Sequence, residues 1–282
     1  MRYYFFILIS AMLFSGQFLF QQGYQGLRGS SFSSAMAFAA HSGLTVFLIM
    51  LAINGFQIQF SWLSFLIASI YACVNIILSC FSLRALKTAN LSLFSMFAML
   101  GGMLLPFGYG ILLCGEDLGL KKFIGCLLIL AALTLTIDPS KMEKETLLSY
   151  ILVFILNGIA GMISKFHQSL EVNSINSQSF MGTACMMTFV ISTLIFRGRE
   201  GHLPKPGVCG LKYTAGYALF WGVGNLLVLI ALKHIPASVQ FPAVTGGVIV
   251  FSTILSLVRR ENVGKREMLS AGTAFLSTVF IL

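Results

Sequence analysis

Charge is what this chain has least of. Only 10% of its 282 residues are Asp, Glu, Lys or Arg, against 57% hydrophobic, and the mean hydropathy is +0.90. A soluble domain carries about 25% charged residues, so this composition cannot dress a water-facing surface. Only nine carboxylates exist, from Glu116 to Glu267, and none lies well inside an apolar run. That excludes a membrane-embedded Glu of the kind that exchanges protons for cationic drugs. The six cysteines form no C-x-x-C pair, and five lie within or at the ends of apolar runs, where free Cys behaves as a small hydrophobe. Neither a disulfide nor a metal site nor any cofactor is expected. Clustered His with Asp or Glu, or a nucleophile beside a base, is also missing, so the chain does not read as an enzyme.

What is present is apolar length. Ten runs stand out, at about Tyr3–Tyr24, Phe32–Asn54, Trp62–Ser82, Leu91–Cys114, Phe123–Ile137, Leu147–Phe166, Phe180–Phe196, Thr214–Leu232, Val239–Val258 and Met268–Leu282. Runs of about 20 residues mean membrane-spanning helices, since a membrane barrel would show alternating strands of about ten residues. The expected fold is an all-α integral membrane protein of ten transmembrane helices. Segment five is short, and the longest connection is Arg197–Lys212, broken by Gly and Pro. The net charge of +9 is scattered in ones and twos between runs, where Lys and Arg meet lipid headgroups. The partner it implies is a lipid bilayer, a plasma or bacterial inner membrane, and no nucleic acid. Arg2 before an apolar run resembles a signal peptide, but no small-x-small cleavage site follows, so a retained first helix is expected.

The chain also repeats itself. Shifted by 146 residues, Tyr71, Ala72, Leu83, Ala85, Leu86, Lys87, Ser92 and Gly101 fall on Tyr217, Ala218, Leu229, Ala231, Leu232, Lys233, Ser238 and Gly247. A one-residue slip brings Glu116-Asp117-Leu118-Gly119 onto Glu261-Asn262-Val263-Gly264. Two five-helix units result, 1–138 and 146–282, joined by a linker at 139–145. A five-helix unit begins and ends on opposite sides of the bilayer, so its second copy must be inserted upside down. The duplication therefore predicts two inverted five-helix repeats, with substrate bound near the midplane between them.

These segments, L-K-T-A-N-L-S-L…G-G…L-L-C-G-E-D-L-G and L-K-H-I-P-A-S-V…G-G…R-R-E-N-V-G, resemble the two halves of an EamA-type carrier of the drug/metabolite transporter superfamily. The resemblance covers nearly the whole chain and implies ten helices in two inverted repeats, with both termini cytoplasmic. Two departures stand out. Gly102 and Gly247 occupy the place where that family usually has a proline in its fourth and ninth helices, and the second turn reads Arg260-Glu261 without its Gly. The Lys and Arg count opposes the implied orientation. The N-terminus and even-numbered loops hold Arg2, Lys121, Lys122, Lys165 and Lys233, against thirteen on the odd-numbered loops, which by the positive-inside rule places the termini outside. Both orientations stay open.

Polar groups in hydrocarbon are costly unless they find a partner or face a cavity, so they advertise inner faces. Gln17 and Gln21 share one face of the first helix. Tyr71, Asn75 and Ser79 form a stripe on the third, Asn157 lies on the sixth, and Tyr217, Trp221 and Asn225 form a stripe on the eighth. The repeat matches Tyr71 with Tyr217, Asn75 with Trp221 and Ser79 with Asn225. These nine residues are the expected substrate-binding set. Tyr213 reads as an interfacial belt residue. His41, the only His well inside an apolar segment, is a candidate for proton-linked chemistry, or a neutral His bonded to a carbonyl. His167, His202 and His234 sit at helix ends or in loops and are given no role. Glu116 and Glu261 read as caps of short turns. Gly101, Gly102, Gly246, Gly247, Gly158 and Gly161 read as places where helix backbones meet.

The expected activity is transport, by alternating access, of a small neutral or zwitterionic metabolite such as an amino acid. The carrier would be an exporter, as a monomer or homodimer. The alternatives are a non-transporting receptor or scaffold, for which the loops are short, and a carrier of organic cations.

Overall fold

A computed structural model describes residues 2–87, 91–114, 119–136, 144–170, 175–205, 207–261 and 263–281. The expected 139–145 linker lies mostly outside them, as do Glu116, Asp117, Asp138, Glu143 and Glu171. Among the described residues every regular element is an α-helix. They are α1 (Arg2–Arg28), α2 (Phe32–Ile53), α3 (Trp62–Ala85), α4 (Leu91–Cys114), α5 (Leu120–Thr136), α6 (Lys144–Ser169), α7 (Ser177–Glu200), α8 (Gly207–Leu232), α9 (Ala237–Val258) and α10 (Lys265–Ile281). Eight of the ten are long and apolar enough to cross a membrane. The two that fall short, α5 and α10, have 17 residues each, or about 25 Å at 1.5 Å per residue against a hydrocarbon core of about 30 Å.

The closest packing joins helices far apart in sequence: α2 with α7, α1 with α8, α5 with α10, α4 with α6, α3 with α6 and α4 with α9. Small residues make these approaches possible. A Cβ on Gly43 of α2 would lie 2.9 Å from the Cys185 carbonyl oxygen of α7, and one on Gly158 of α6 would lie 2.7 Å from the Gly101 carbonyl oxygen of α4. Between α1 and α8 the same effect is reciprocal: Phe20 covers Gly216 and Phe220 covers Gly16, with the two rings 5.3 Å apart. Tyr213, expected in the interfacial belt, packs its ring over Gly23 of α1. Outward faces carry Leu48, Leu66, Ile70, Leu194 and Leu219, all strongly exposed, as a surface meeting lipid requires.

Prolines do enter the fourth and ninth helices, at Pro106 and Pro242. The two sit at unmatched places, downstream of Gly102 and upstream of Gly247. The α2–α3 connection is pinned by polar groups facing inward. Ser179 receives a hydrogen bond from the Gln59 backbone N–H at 2.9 Å, and Gln59 Oε1 accepts the Asn176 N–H at 2.7 Å. Asn176 in turn caps α7, its Oδ1 accepting the Ser179 N–H at 2.7 Å. The apolar members of that connection, Phe56, Ile58, Phe60 and Trp62, face out.

At the other kind of helix end, the first amides of α4 lack intrahelical partners, and the α9–α10 turn supplies them. Glu261 Oε2 accepts the Leu91 N–H at 2.9 Å and the Ser256 hydroxyl at 3.0 Å, while Ser256 Oγ accepts the Ser92 N–H at 3.0 Å. Glu261 thus caps a different helix from the one it follows. Arg259 joins the same cluster, 3.5 Å from Glu261 and donating to Gln22 Oε1 of α1 at 2.6 Å. To aim Glu261 at α4, Arg260 adopts φ +56°, a left-handed conformation that costs a non-glycine residue about 1–2 kcal/mol. Arg260→Gly is therefore expected to raise the melting temperature in detergent. Glu261→Ala, which strands the α4 amides, is expected to lower stability by about 1–2 kcal/mol. Equal melting temperatures for all three proteins would contradict this account of the turn.

Candidate functional site

The cavity follows from where the helices cannot close. On α3, Tyr71, Asn75 and Ser79 recur every fourth residue and so line one face. On α8, Tyr217, Trp221 and Asn225 do the same. Three adjoining cavities of about 100, 40 and 30 Å³ lie between these faces and the helices α1, α4, α6 and α9, with α2 and α7 bordering the smallest. Asn75 and Trp221 border all three. A void needs about 10–15 Å³ on this scale to hold one water, so the largest has room for several.

All nine residues expected from the sequence border these cavities. Gln17 and Asn157 lie between the first and second, Gln21 on the second, Asn225 on the first. Tyr71 borders the first and third, and Ser79 and Tyr217 border the second and third. The Tyr217 and Trp221 rings run nearly parallel, with centroids 6.3 Å apart. Among the described residues no Asp, Glu, Lys or Arg borders any of the three.

The amides are held by the backbone. Asn75 Nδ2 donates to the Tyr71 carbonyl and Asn225 Nδ2 to the Trp221 carbonyl, each at 2.9 Å and one turn back in its own helix. Asn157 Nδ2 reaches across to the Ala98 carbonyl of α4. That contact depends on the glycine approach, because a Cβ on Gly102 would sit 2.8 Å from Asn157 Nδ2 and one on Gly101 would sit 2.6 Å from the Phe154 carbonyl carbon. Gln17 is 4% exposed, and its Oε1 is buried with no partner among the described residues.

His41 stands apart. It borders none of the three cavities, and its Nε2 meets the Pro204 carbonyl at 3.2 Å, tying α2 to the α7–α8 connection. His167, set aside in the sequence as a helix-end residue, is wholly buried, 3.1 Å from Ser64 Oγ and stacked on Phe180 at 3.8 Å. Its role there is to hold α6 against α3 and α7. Ser164 and Thr245 also border the first of these cavities and were not in the expected set. Thr245 Oγ1 donates to the Met99 carbonyl at 3.3 Å, bridging α9 to α4. Thr245 immediately precedes the Gly246–Gly247 pair in sequence, the one local sign of it. Among the described residues no three His, Cys, Asp or Glu gather as a metal site would need.

No family model and no curated protein matches this chain. Its fold is similar to that of a solved crystal structure at a TM-score of 0.71, with 16% sequence identity over 99% of this chain and 96% of the other. At that identity the likeness concerns the fold alone.

Two substitutions separate the wall of the cavity from its surroundings. Gly101→Ala is expected to destabilise the fold by about 1–3 kcal/mol, by forcing α4 off α6. His41→Gln keeps a hydrogen-bonding group at Pro204 and is expected to leave any cavity ligand's affinity unchanged. Affinity that falls in His41→Gln while the melting temperature holds would contradict the placement of that residue outside the site.

Proposed function

We propose that this chain is a membrane carrier of the EamA type, moving a small neutral or zwitterionic metabolite by alternating access at the cavity between two inverted five-helix repeats. The observation that carries the reading is the uncharged polar cavity at the middle of a bundle of apolar helices, bordered by matched stripes of α3 and α8. The order of packing supports it further. Exchanging the first five helices for the last five turns the α1–α8 pair into α6–α3, α1–α9 into α6–α4, and α2–α8 into α7–α3, all of which are packed pairs. The pairs α2–α7, α4–α9 and α5–α10 map onto themselves. A bundle with that exchange symmetry has two related ways to close around its centre, which is what alternating access needs.

The uncharged wall selects against ions that need a counter-charge. Burying a lone carboxylate or phosphate costs far more than burying a neutral or internally compensated molecule. Amides, hydroxyls and aromatic faces suit a small molecule with both polar and apolar parts. A receptor or scaffold would present a docking surface beyond the bilayer. The connections among the described residues are short. The longest of them, between α2 and α3, is hydrogen-bonded to α7 through Gln59, and the one between α7 and α8 is tied back onto α2 through His41.

A ligand that binds the native state stabilises it by mass action. Detergent-purified protein screened against amino acids, nucleosides, sugars and quaternary amines is expected to show a rise in melting temperature with one of the uncharged or zwitterionic classes. That rise is expected to vanish in Asn75→Ala and in Trp221→Ala, each still folded. Stabilisation that survives both substitutions would contradict the cavity as the site, and stabilisation by quaternary amines alone would contradict the substrate class.

A further inference from the structure

The connection between α2 and α3 differs from the others in charge. Every other connection between helices contains or adjoins an Asp, Glu, Lys or Arg, whereas the sequence holds none between Arg28 and Arg84. In place of charge it carries Phe56, Ile58, Phe60 and Trp62 at alternate positions, and the three aromatic ones are 76%, 61% and 73% exposed. Phe65 joins them, its ring centroid 6.1 Å from that of Trp62, which lies 5.1 Å from that of Phe60. The patch continues along α3, where Leu66, Ile70, Cys73 and Ile77 are exposed at helical spacing and share one face. Behind it the backbone is pinned. Gly55 and Phe56 turn the chain out of α2 at φ +64° and +61°, a conformation that bulky residues rarely adopt, and the Phe56 N–H closes the turn on the Leu51 carbonyl at 2.8 Å. Asn54 donates to the Gln57 carbonyl and to Ser179 Oγ of α7, and its Oδ1 accepts Asn176 Nδ2 at 2.9 Å. The polar groups thus hold the connection to α7, and the apolar ones point away from it.

We propose that this connection is a charge-free anchor seated in the boundary between lipid headgroups and acyl chains, with the bilayer interface itself as its partner. The inference goes beyond the carrier reading and needs only that the helices span a membrane. Two observations fix the depth. The exposed rings and Ile58 gain by leaving water, which draws them toward the acyl chains. The backbone N–H groups of Ile58 and Phe60 donate to no group among the described residues, and unpaired groups of that kind are not tolerated in dry hydrocarbon. Only the boundary serves both, and an indole, with an apolar body and one N–H, suits the same depth. Continuity with the exposed face of α3 favours lipid over a second copy of the chain, which would have to cover that face as well. Attraction to anionic headgroups comes from Lys and Arg, so an anchor without them holds to neutral and anionic lipid alike. Because Asn54, Gln59 and Asn176 tie the segment together, it sets the depth of three helix ends at once, those of α2, α3 and α7.

Trp62 and Trp221 are the two tryptophans of the sequence, so Trp221→Phe leaves Trp62 as the single indole, on the patch. That protein, checked for helix content and a single elution peak, would be placed in phosphatidylcholine vesicles. Lipids brominated near the headgroup end of the acyl chain are expected to quench Trp62 more strongly than lipids brominated near its methyl end. Acrylamide in the water is expected to quench it less than free tryptophan. Replacing part of the lipid by phosphatidylglycerol, or raising the salt, is expected to leave both results unchanged. Phe60→Ser in the same background is expected to shift the Trp62 emission to the red and to weaken the bromolipid quenching. Acrylamide quenching equal to that of free tryptophan, with bromolipids inert, would put the connection in water and overturn the proposal. Strongest quenching from the methyl end would overturn it in favour of the hydrocarbon core, and protection from both quenchers in favour of a second copy of the chain. Quenching that appears only with anionic lipid would overturn the charge-free anchor. Should Trp221→Phe fail to fold, a nitroxide on Phe60→Cys, in a chain with its native cysteines replaced, reads the same depth from its collisions with oxygen and with a water-soluble nickel chelate. None of these outcomes bears on whether the central cavity carries a substrate, so the two readings fail separately.

Discussion

The structure depends on one constraint: inside a bilayer a polar group must be paired with protein or face a cavity, because no water is there to pair it. Every feature of the centre of this bundle follows. The hydroxyls of Ser10, Ser42, Thr45, Ser69, Ser79, Thr188 and Thr253 donate to the carbonyl one turn back in their own helix, so that they cost the fold little wherever they point. Amides are larger and carry both donors and acceptors, so one carbonyl cannot satisfy them. They gather where helices stand apart, at Gln17, Asn75, Asn157 and Asn225. Gln240 of α9 is an exception: wholly buried and off these cavities, it donates to the Val228 carbonyl at 2.6 Å and leaves Oε1 without a partner among the described residues.

A bundle built around a void must gain its packing elsewhere, and glycine supplies it. With no hydrophobic drive between helices in lipid, association depends on close van der Waals approach. Gly43 opens α2 to α7, Gly101 and Gly158 bring α4 against α6, and Gly16 and Gly216 seat facing phenylalanines between α1 and α8. The Gly101–Gly158 approach does more than pack, since it brings Asn157 within reach of the Ala98 carbonyl and so orients its free oxygen.

The outline of the fold was legible in the chain because length and hydropathy carry it. All ten apolar runs became helices, and the two weakest, the fifth and the tenth, are the two that fall short of spanning length. The residues that border the cavities were legible because period-four stripes of large polar and aromatic residues have no cheap alternative to a shared cavity. Ser164 was left out of the expected set, and Thr245 escaped notice, because small hydroxyls satisfy themselves almost anywhere in a helix and so leave no pattern. His167 was misjudged for a different reason. It does lie in the last turn of α6, as its place at the end of the run implied, but there the imidazole is buried between Ser64 and Phe180. The missing glycine of the second turn is recorded as positive φ at Arg260, a strain visible only once the backbone is placed.

The central claim is that the cavity is exposed in turn to the two sides of the membrane. In a chain with its native cysteines replaced, a single cysteine at Asn225 can be tested in liposomes with a membrane-impermeant maleimide, applied only outside or only inside. A carrier that alternates predicts labelling from both sides, slower from the side that is closed more of the time. Labelling from one side alone, with the protein folded and uniformly oriented, would contradict alternating access and favour a pocket that binds without transport.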